Sequence, residues 1–277
     1  MNVIEYNFEH YNTLAPNLYR KEKYRLQVEL LKLQEDAITN KRKIAVCFEG
    51  RDTAGKSSTI NFFSEHLIPS NFKYVHLGIP TNEERLNWFE RWEKHLPKKG
   101  ELVLFDRSWY TRALIEPTLG YCTKTEYKKF MNKVNKWEKN LIKSDIELIK
   151  FYFSIDQDQQ KRRLSARKNS KLKYWKLSKS DQMMVDKWDL FTLYKNQMFD
   201  ITSTKVAPWV VVNANNKMIA RLSALRYLLN NLDYERKKTL EPPKWGEDLG
   251  NYSCYIEGIY FDNLNYEQFK ILAPFSD

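Results

Sequence analysis

The stretch Gly50-Arg51-Asp52-Thr53-Ala54-Gly55-Lys56-Ser57 constrains this chain more than any other. It matches the phosphate-binding pattern G-x-x-x-x-G-K-[ST] at every fixed position. Two glycines at that spacing let the backbone curl until successive N–H groups point inward at phosphate oxygens. Lys56 then reaches the outer phosphates and Ser57 offers its hydroxyl to magnesium. Gly50, Thr53, Ala54, Gly55 and Ser57 are therefore read as phosphate-binding, and Lys56 as catalytic. Such a loop works only between a strand and a helix. Residues 44–48 read as a short buried strand and 58–67 as an amphipathic helix, so the context agrees. Asp52 is the odd member, a carboxylate among groups that bind anions. It makes sense as a metal-binding or phosphate-orienting acid, with a surface loop acid as the plain alternative.

A phosphate loop also needs an acid at the end of a nearby strand to position magnesium. Asp106 directly follows the continuous apolar run 102–105, a strand that reads as buried in a parallel sheet. Beside it, Arg107 can neutralise charge on a transferring phosphoryl group through its bidentate fork. Ser108-Trp109-Tyr110-Thr111-Arg112 then follows at the carboxyl end of the strand, where open α/β sheets bind ligands.

The remaining pattern alternates. Residues 1–17 read as irregular and 18–39 as a helix. Strands are expected at 73–77, 146–153 and 209–212 in addition to the two above. Thr81 with Glu84, and Thr123 with Glu126, each have the capping-box spacing that opens a helix. The first of these helices should turn Leu86, Phe89 and Trp92 inward, and further helices are expected at 156–170, 181–201 and 216–232. The expectation is a single α/β domain over 1–277: three layers, with a five-stranded parallel sheet flanked by helices. Residues 1–40 form an N-terminal helical extension, 41–232 the core, and 233–277 a tail without a clear period. Pro242-Pro243 breaks any helix there.

Between the fourth and fifth strands lies the basic run 161–168, from Lys161 through Arg163 and Arg167, extended by Lys171, Lys173 and Lys176. On a helix Arg163 and Arg167 share one face. A closing basic lid over about 156–200 would exclude water from a phosphoryl transfer, while a solvated run of charge is the bland reading. The chain as a whole carries 46 Lys and Arg against 35 Asp and Glu, a formal charge of +11. That surplus fits a polyanionic partner, although no nucleic-acid-binding motif accompanies it, so nucleic acid is not the expected one. Three scattered cysteines fit a reducing compartment, and the four histidines show no zinc-ligand spacing with them. No apolar run approaches the roughly 18 residues of a spanning helix. The expectation is a cytoplasmic protein with no membrane partner.

Taken together, 50–57, Phe105-Asp106-Arg107-Ser108-Trp109-Tyr110 and 161–167 resemble the polyphosphate kinase 2 family. Leu96-Pro97, Gly120-Tyr121-Cys122-Thr123, Trp175-Lys176-Leu177-Ser178, Trp188-Asp189 and Ala207-Pro208-Trp209 extend the likeness over about 15–232. The resemblance implies a P-loop kinase-like fold with a helical basic lid, and transfer of a terminal phosphoryl group between inorganic polyphosphate and a nucleotide, ADP and ATP before others, with Mg2+. It implies that Asp52 and Asp106 bind metal and position phosphates, and that Lys56 and Arg107 stabilise the moving group. It also places Arg163, Arg167, Lys161 and Lys176 on polyphosphate and Arg112 and Glu116 near the nucleotide, and it favours a homo-oligomer. Ser57-Ser58 departs from the glycines that members often carry after the loop lysine. Two rivals stay open: a nucleoside monophosphate kinase resembling thymidylate kinase, which Phe48-Glu49-Gly50-Arg51-Asp52 would also suit, and a non-catalytic basic nucleotide- or nucleic-acid-binding protein.

Overall fold

The computed structural model describes residues 3–6, 16–241, 252–256, 259–264 and 266–275. In chain order the elements are β1 (Ile4–Tyr6), α1 (Pro16–Thr39), β2 (Lys43–Gly50), α2 (Lys56–Ser64), β3 (Phe72–Val75), α3 (Asn82–Leu86), α4 (Trp88–Glu93) and β4 (Glu101–Asp106). A 3-10 turn at Trp109–Arg112 leads to α5 (Ile115–Leu119), α6 (Lys124–Lys143), β5 (Ile146–Ser154) and α7 (Gln157–Asn169). Then come α8 (Lys179–Asp186), α9 (Trp188–Thr202), β6 (Trp209–Asn213) and α10 (Lys217–Asn231). A hairpin, β7 (Tyr252–Ile256) and β8 (Ile259–Leu264), precedes α11 (Tyr266–Leu272).

The main sheet is parallel, in the order β1-β6-β5-β2-β4-β3. It has six strands and not the expected five, because Ile4–Tyr6 pairs with β6 through Ile4 opposite Val210. Three residues are too few to display a period of two, which hides this strand in the sequence. β2 lies between β4 and β5 and is buried on both faces, hence its unbroken apolar run. Ile44, Val46 and Phe48 face a layer with α1, α2 and α10, where Leu26, Leu30, Phe63, Leu225 and Leu228 pack. Ala45 and Cys47 face the opposite layer, built from Trp92, Trp109, Phe130, Val134, Phe199 and Trp209. The result is three layers, helix on sheet on helix.

Both capping boxes form: Thr81 with Glu84 and Thr123 with Glu126. Leu86, expected inside, is 77% exposed. The helix that should carry it breaks at Asn87 (φ −107°, ψ 55°), so α3 loses the phase that turns Trp88 and Trp92 into the core. The helix expected at 181–201 likewise divides at Lys187 into α8 and α9. α9 buries Phe191, Met198 and Phe199 in the second layer, so it belongs to the core. The tail holds a β-hairpin and a helix where no period was legible. Its bulge between Tyr252 and Cys254 interrupts the alternation, and Cys254, Leu264 and Phe269 pack on Met218 and Tyr19. Pro242-Pro243 lies outside the described residues.

Candidate active site

β2 and β4 end side by side, with Phe48 opposite Asp106 in the ladder, and the phosphate loop springs from the end of β2. Gly50 adopts φ 138°, and a Cβ there would stand 2.3 Å from the carbonyl oxygen of Phe153 on β5, so only glycine fits. Gly55 (φ 100°) caps the start of α2, which opens on Lys56. The Lys56 ammonium, 6% exposed, curls back inside its own loop and donates to the carbonyls of Gly50 (3.0 Å) and Arg51 (2.9 Å). Burial, then the neighbouring charge of Arg107, lowers its pKa.

Asp106 sits 4% exposed at the other side of the loop. Its Oδ2 accepts from the Ser57 hydroxyl at 2.5 Å and from the Tyr74 hydroxyl at 2.8 Å. A His76 ring nitrogen lies 3.3 Å from its main-chain oxygen. The next residue turns the opposite way. Arg107 takes φ 67°, left-handed for a non-glycine, and its guanidinium donates to Asp52 Oδ1 at 2.5 Å. Burial works against both charges of this pair, but Arg107, Lys56 and Arg167 outweigh it at Asp52, which is held below the usual carboxylate range. Asp52, Glu49, Asp106 and Asp181 outweigh it at Arg107, whose pKa rises. Lys56, Asp106, Arg107, Asp52 and Ser57 therefore meet at one mouth.

Magnesium is bound through one or two protein oxygens together with phosphate oxygens and water. The Ser57 hydroxyl and the Asp106 carboxylate, already in contact, supply that donor set. Among the described residues no cluster of three or more His, Cys, Asp or Glu converges on a point, as a structural zinc would require.

The sequence model of the family described as Polyphosphate kinase 2 (PPK2) matches residues 13–240. The chain belongs to the polyphosphate kinase 2 family. A "GDP-polyphosphate phosphotransferase" of Mycolicibacterium smegmatis is 44% identical over 220 residues, 79% of this chain and 78% of that protein. A protein of the same name from Pseudomonas aeruginosa is 42% identical, over 83% of this chain and 65% of its own length. The crystal structure of Polyphosphate Kinase 2 from Arthrobacter aurescens TC1 superposes with a TM-score of 0.72 at 29% identity, covering 78% of this chain and 81% of that one.

The other residues read from the resemblance to polyphosphate kinase 2 are spread more widely. Arg163, 4% exposed, donates to the Thr53 carbonyl (3.0 Å) and to those of Ala214 (2.8 Å) and Asn215 (3.0 Å). It braces the back of the phosphate loop, and burial brings its pKa down to about 10. Gln160 adds a bond to the Asp52 carbonyl (3.1 Å). Arg167 lies nearer the mouth, 3.6 Å from Asp181. Lys161 and Lys176 are exposed, the latter 5.2 Å from the Trp175 ring centroid. Arg112 and Glu116 form a buried ion pair at 2.6 Å, with the guanidinium 4.1 Å from the ring centroid of Trp88. Arg51 stacks on Trp188 at 3.3 Å and donates to Thr192 at 2.5 Å, tying the loop to α9.

Sequence reasoning missed Tyr74, His76 and Glu49. Tyr74 lies on β3 and His76 directly after it, and the place of β3 beside β4 depends on strand order, which no local pattern encodes. Beneath the site Lys150, fully buried, bonds Glu138 (2.8 Å), the Tyr110 hydroxyl (3.1 Å) and the Thr202 carbonyl (2.9 Å). Trp109 also donates to Glu138, at 3.0 Å, so this network fixes the floor under Asp106-Arg107. Lys150→Met strands the Glu138 carboxylate and is expected to cost about 3–5 kcal/mol. A thermal melt should fall by roughly 10 °C. Lys150→Met with Glu138→Leu should be milder than the single change, and an unshifted melt for the single variant contradicts this role.

Proposed function

We propose that this chain is a magnesium-dependent kinase that moves a terminal phosphoryl group between inorganic polyphosphate and a nucleoside diphosphate, with ADP to ATP as the principal forward reaction. The observation that carries this reading is the convergence of Lys56, Asp106 and Arg107 on the mouth of one phosphate loop. Loop N–H groups and Lys56 would cradle the phosphates, while Arg107 neutralises charge on the moving group. Ser57 and Asp106 would hold a magnesium ion, which when bound would neutralise part of the phosphate charge. Asp52 keeps Arg107 at the mouth and completes the acidic side of the site. The acceptor is already an ionised phosphate, so the chain has no proton to remove, and catalysis rests on positioning.

The polyanion would enter along the basic side of the loop, past Arg167, Lys161 and Lys176, with Arg163 bracing the loop from behind and the Arg112–Glu116 pair on the nucleotide side. The relatives divide on the base of the acceptor. Relatives named for GDP stand at 44% and 42% identity and relatives named for ADP at 40% and 39%. No helix among the described residues is long and apolar enough to cross a membrane. The cytoplasm is where this reading places the enzyme. Supplying magnesium and polyphosphate with ADP, GDP and AMP separately, and separating products by chromatography, tests the proposal. ATP from ADP supports it, GTP alone changes the acceptor, and no polyphosphate-dependent product overturns it.

Arg167→Ala is expected to raise the apparent KM for polyphosphate about tenfold and leave that for nucleotide within about twofold, as loss of one charged contact predicts. Added salt should raise the same KM in the native chain, because the substrate's counterions must be displaced. An unchanged polyphosphate KM in the variant removes Arg167 from the channel.

A further inference from the structure

Arg107 does its work only if its guanidinium is aimed across the loop, and the turn that aims it is strained. In an extended strand consecutive side chains point to opposite faces. Here Asp106 ends β4 and Arg107 follows at φ 67°, a region that is strained for a non-glycine residue and persists only when its surroundings enforce it. The Arg107 N–H holds the near side of the turn, through a bond to the Phe48 carbonyl at 3.0 Å. The far side is held by Glu49. Its Oε1 accepts from the Ser108 N–H at 2.7 Å and from the Ser108 hydroxyl at 2.9 Å. Ser108 Oγ in turn accepts from the Tyr110 N–H at 3.3 Å, which starts the next turn of chain. Glu49 is 1% exposed and Ser108 wholly buried, so water cannot replace these bonds.

We propose that Glu49 is the positioning residue for Arg107: it pins the left-handed turn after β4, so that Arg107 faces Asp52 across the loop while Asp106, held within β4, stays against Ser57. Glu49 touches no reacting atom in this account, which rests on the phosphoryl-transfer reading above. A carboxylic side chain in so enclosed a place is disfavoured as an anion. Burial pushes the Glu49 carboxyl up, and the Ser108 bonds with the charges of Arg107 and Lys56 oppose that push. Both bonds fall on a single oxygen, which the amide oxygen of glutamine can reproduce without the charge. The role assigned here is therefore one of hydrogen bonding.

Glu49→Ala is expected to lower kcat about 100-fold, the size of effect that a displacement of about 1 Å at a reacting group produces. KM for polyphosphate and for nucleotide should each stay within about threefold, because the loop and channel are untouched. Glu49→Gln should recover to within about fivefold of the native kcat. Ser108→Ala, which deletes one donor with little change in volume, should fall between them and carries the test if Glu49→Ala does not fold. The decisive comparison is a double-mutant cycle with Arg107→Ala. If Glu49 acts through Arg107, Glu49→Ala costs less than about twofold once Arg107 is gone. Multiplying losses in the cycle, or Glu49→Gln as slow as Glu49→Ala, overturns the inference. Native turnover with polyphosphate is measured first. Its absence defeats the phosphoryl-donor reading and not this one, and the cycle is then run on ATP as donor.

Discussion

Lys56→Ala is expected to lower kcat/KM about 1,000-fold while the protein stays folded, the upper end of what removing one preorganised donor does to a developing charge. The ammonium sits between the Gly50 and Arg51 carbonyls, inside the loop that would wrap the phosphates. Its burial and the charge of Arg107 disfavour the charged form, while the carboxylates of Asp52, Asp106 and Glu49 favour it. Truncation loses two charge-assisted hydrogen bonds but also removes a desolvated charge, and these terms oppose each other. The melting temperature should therefore move by no more than about 5 °C. Circular dichroism melts beside steady-state kinetics separate the two effects. Activity above a tenth of native in a folded variant would take Lys56 out of the reaction.

Asp106→Asn should give a loss of similar order, about 100- to 1,000-fold in kcat, with a signature of its own. The carboxylate accepts from Ser57 and Tyr74 through one oxygen, and the amide oxygen of asparagine can keep accepting both. What goes is the negative charge opposite the phosphates. The magnesium concentration for half-maximal rate should consequently rise at least about tenfold, since a neutral oxygen is a poorer ligand for a hard cation. Manganese binding in the presence of nucleotide, followed by electron paramagnetic resonance, should weaken in parallel. A variant with native metal dependence contradicts the assignment of Asp106 to the metal.

The parts of this fold that were legible in sequence are those fixed by local chemistry. The glycines of the loop, the two capping boxes and the apolar runs of β2 and β4 each depend on a few adjacent residues. Lys56, Ser57, Asp106 and Arg107 were readable because they lie within or directly after such segments. What depends on tertiary pairing was not. β1 is three residues long and gains its identity only from β6, and Tyr74 meets Asp106 only because β3 lies beside β4. The basic face of α7 misled for a related reason. Arg163 and Arg167 do share a helical face, but the helix is largely polar all around and gives no sign that one member is buried. Arg163 turns out to brace three carbonyls behind the loop while Arg167 stays near its mouth. In the sequence Glu49 stands out only as part of a pattern shared with a rival family. Its partner Ser108 is 59 residues away in sequence, so only the fold reveals the bond.

The most direct test follows the phosphorus itself. Polyphosphate labelled with 32P is incubated with unlabelled ADP and magnesium, and the nucleotides are separated. The account predicts label in the γ-phosphate of ATP with the native chain and none with Lys56→Ala. No label in any nucleotide, alongside transfer from ATP to a nucleoside monophosphate, would contradict it and restore the monophosphate-kinase reading.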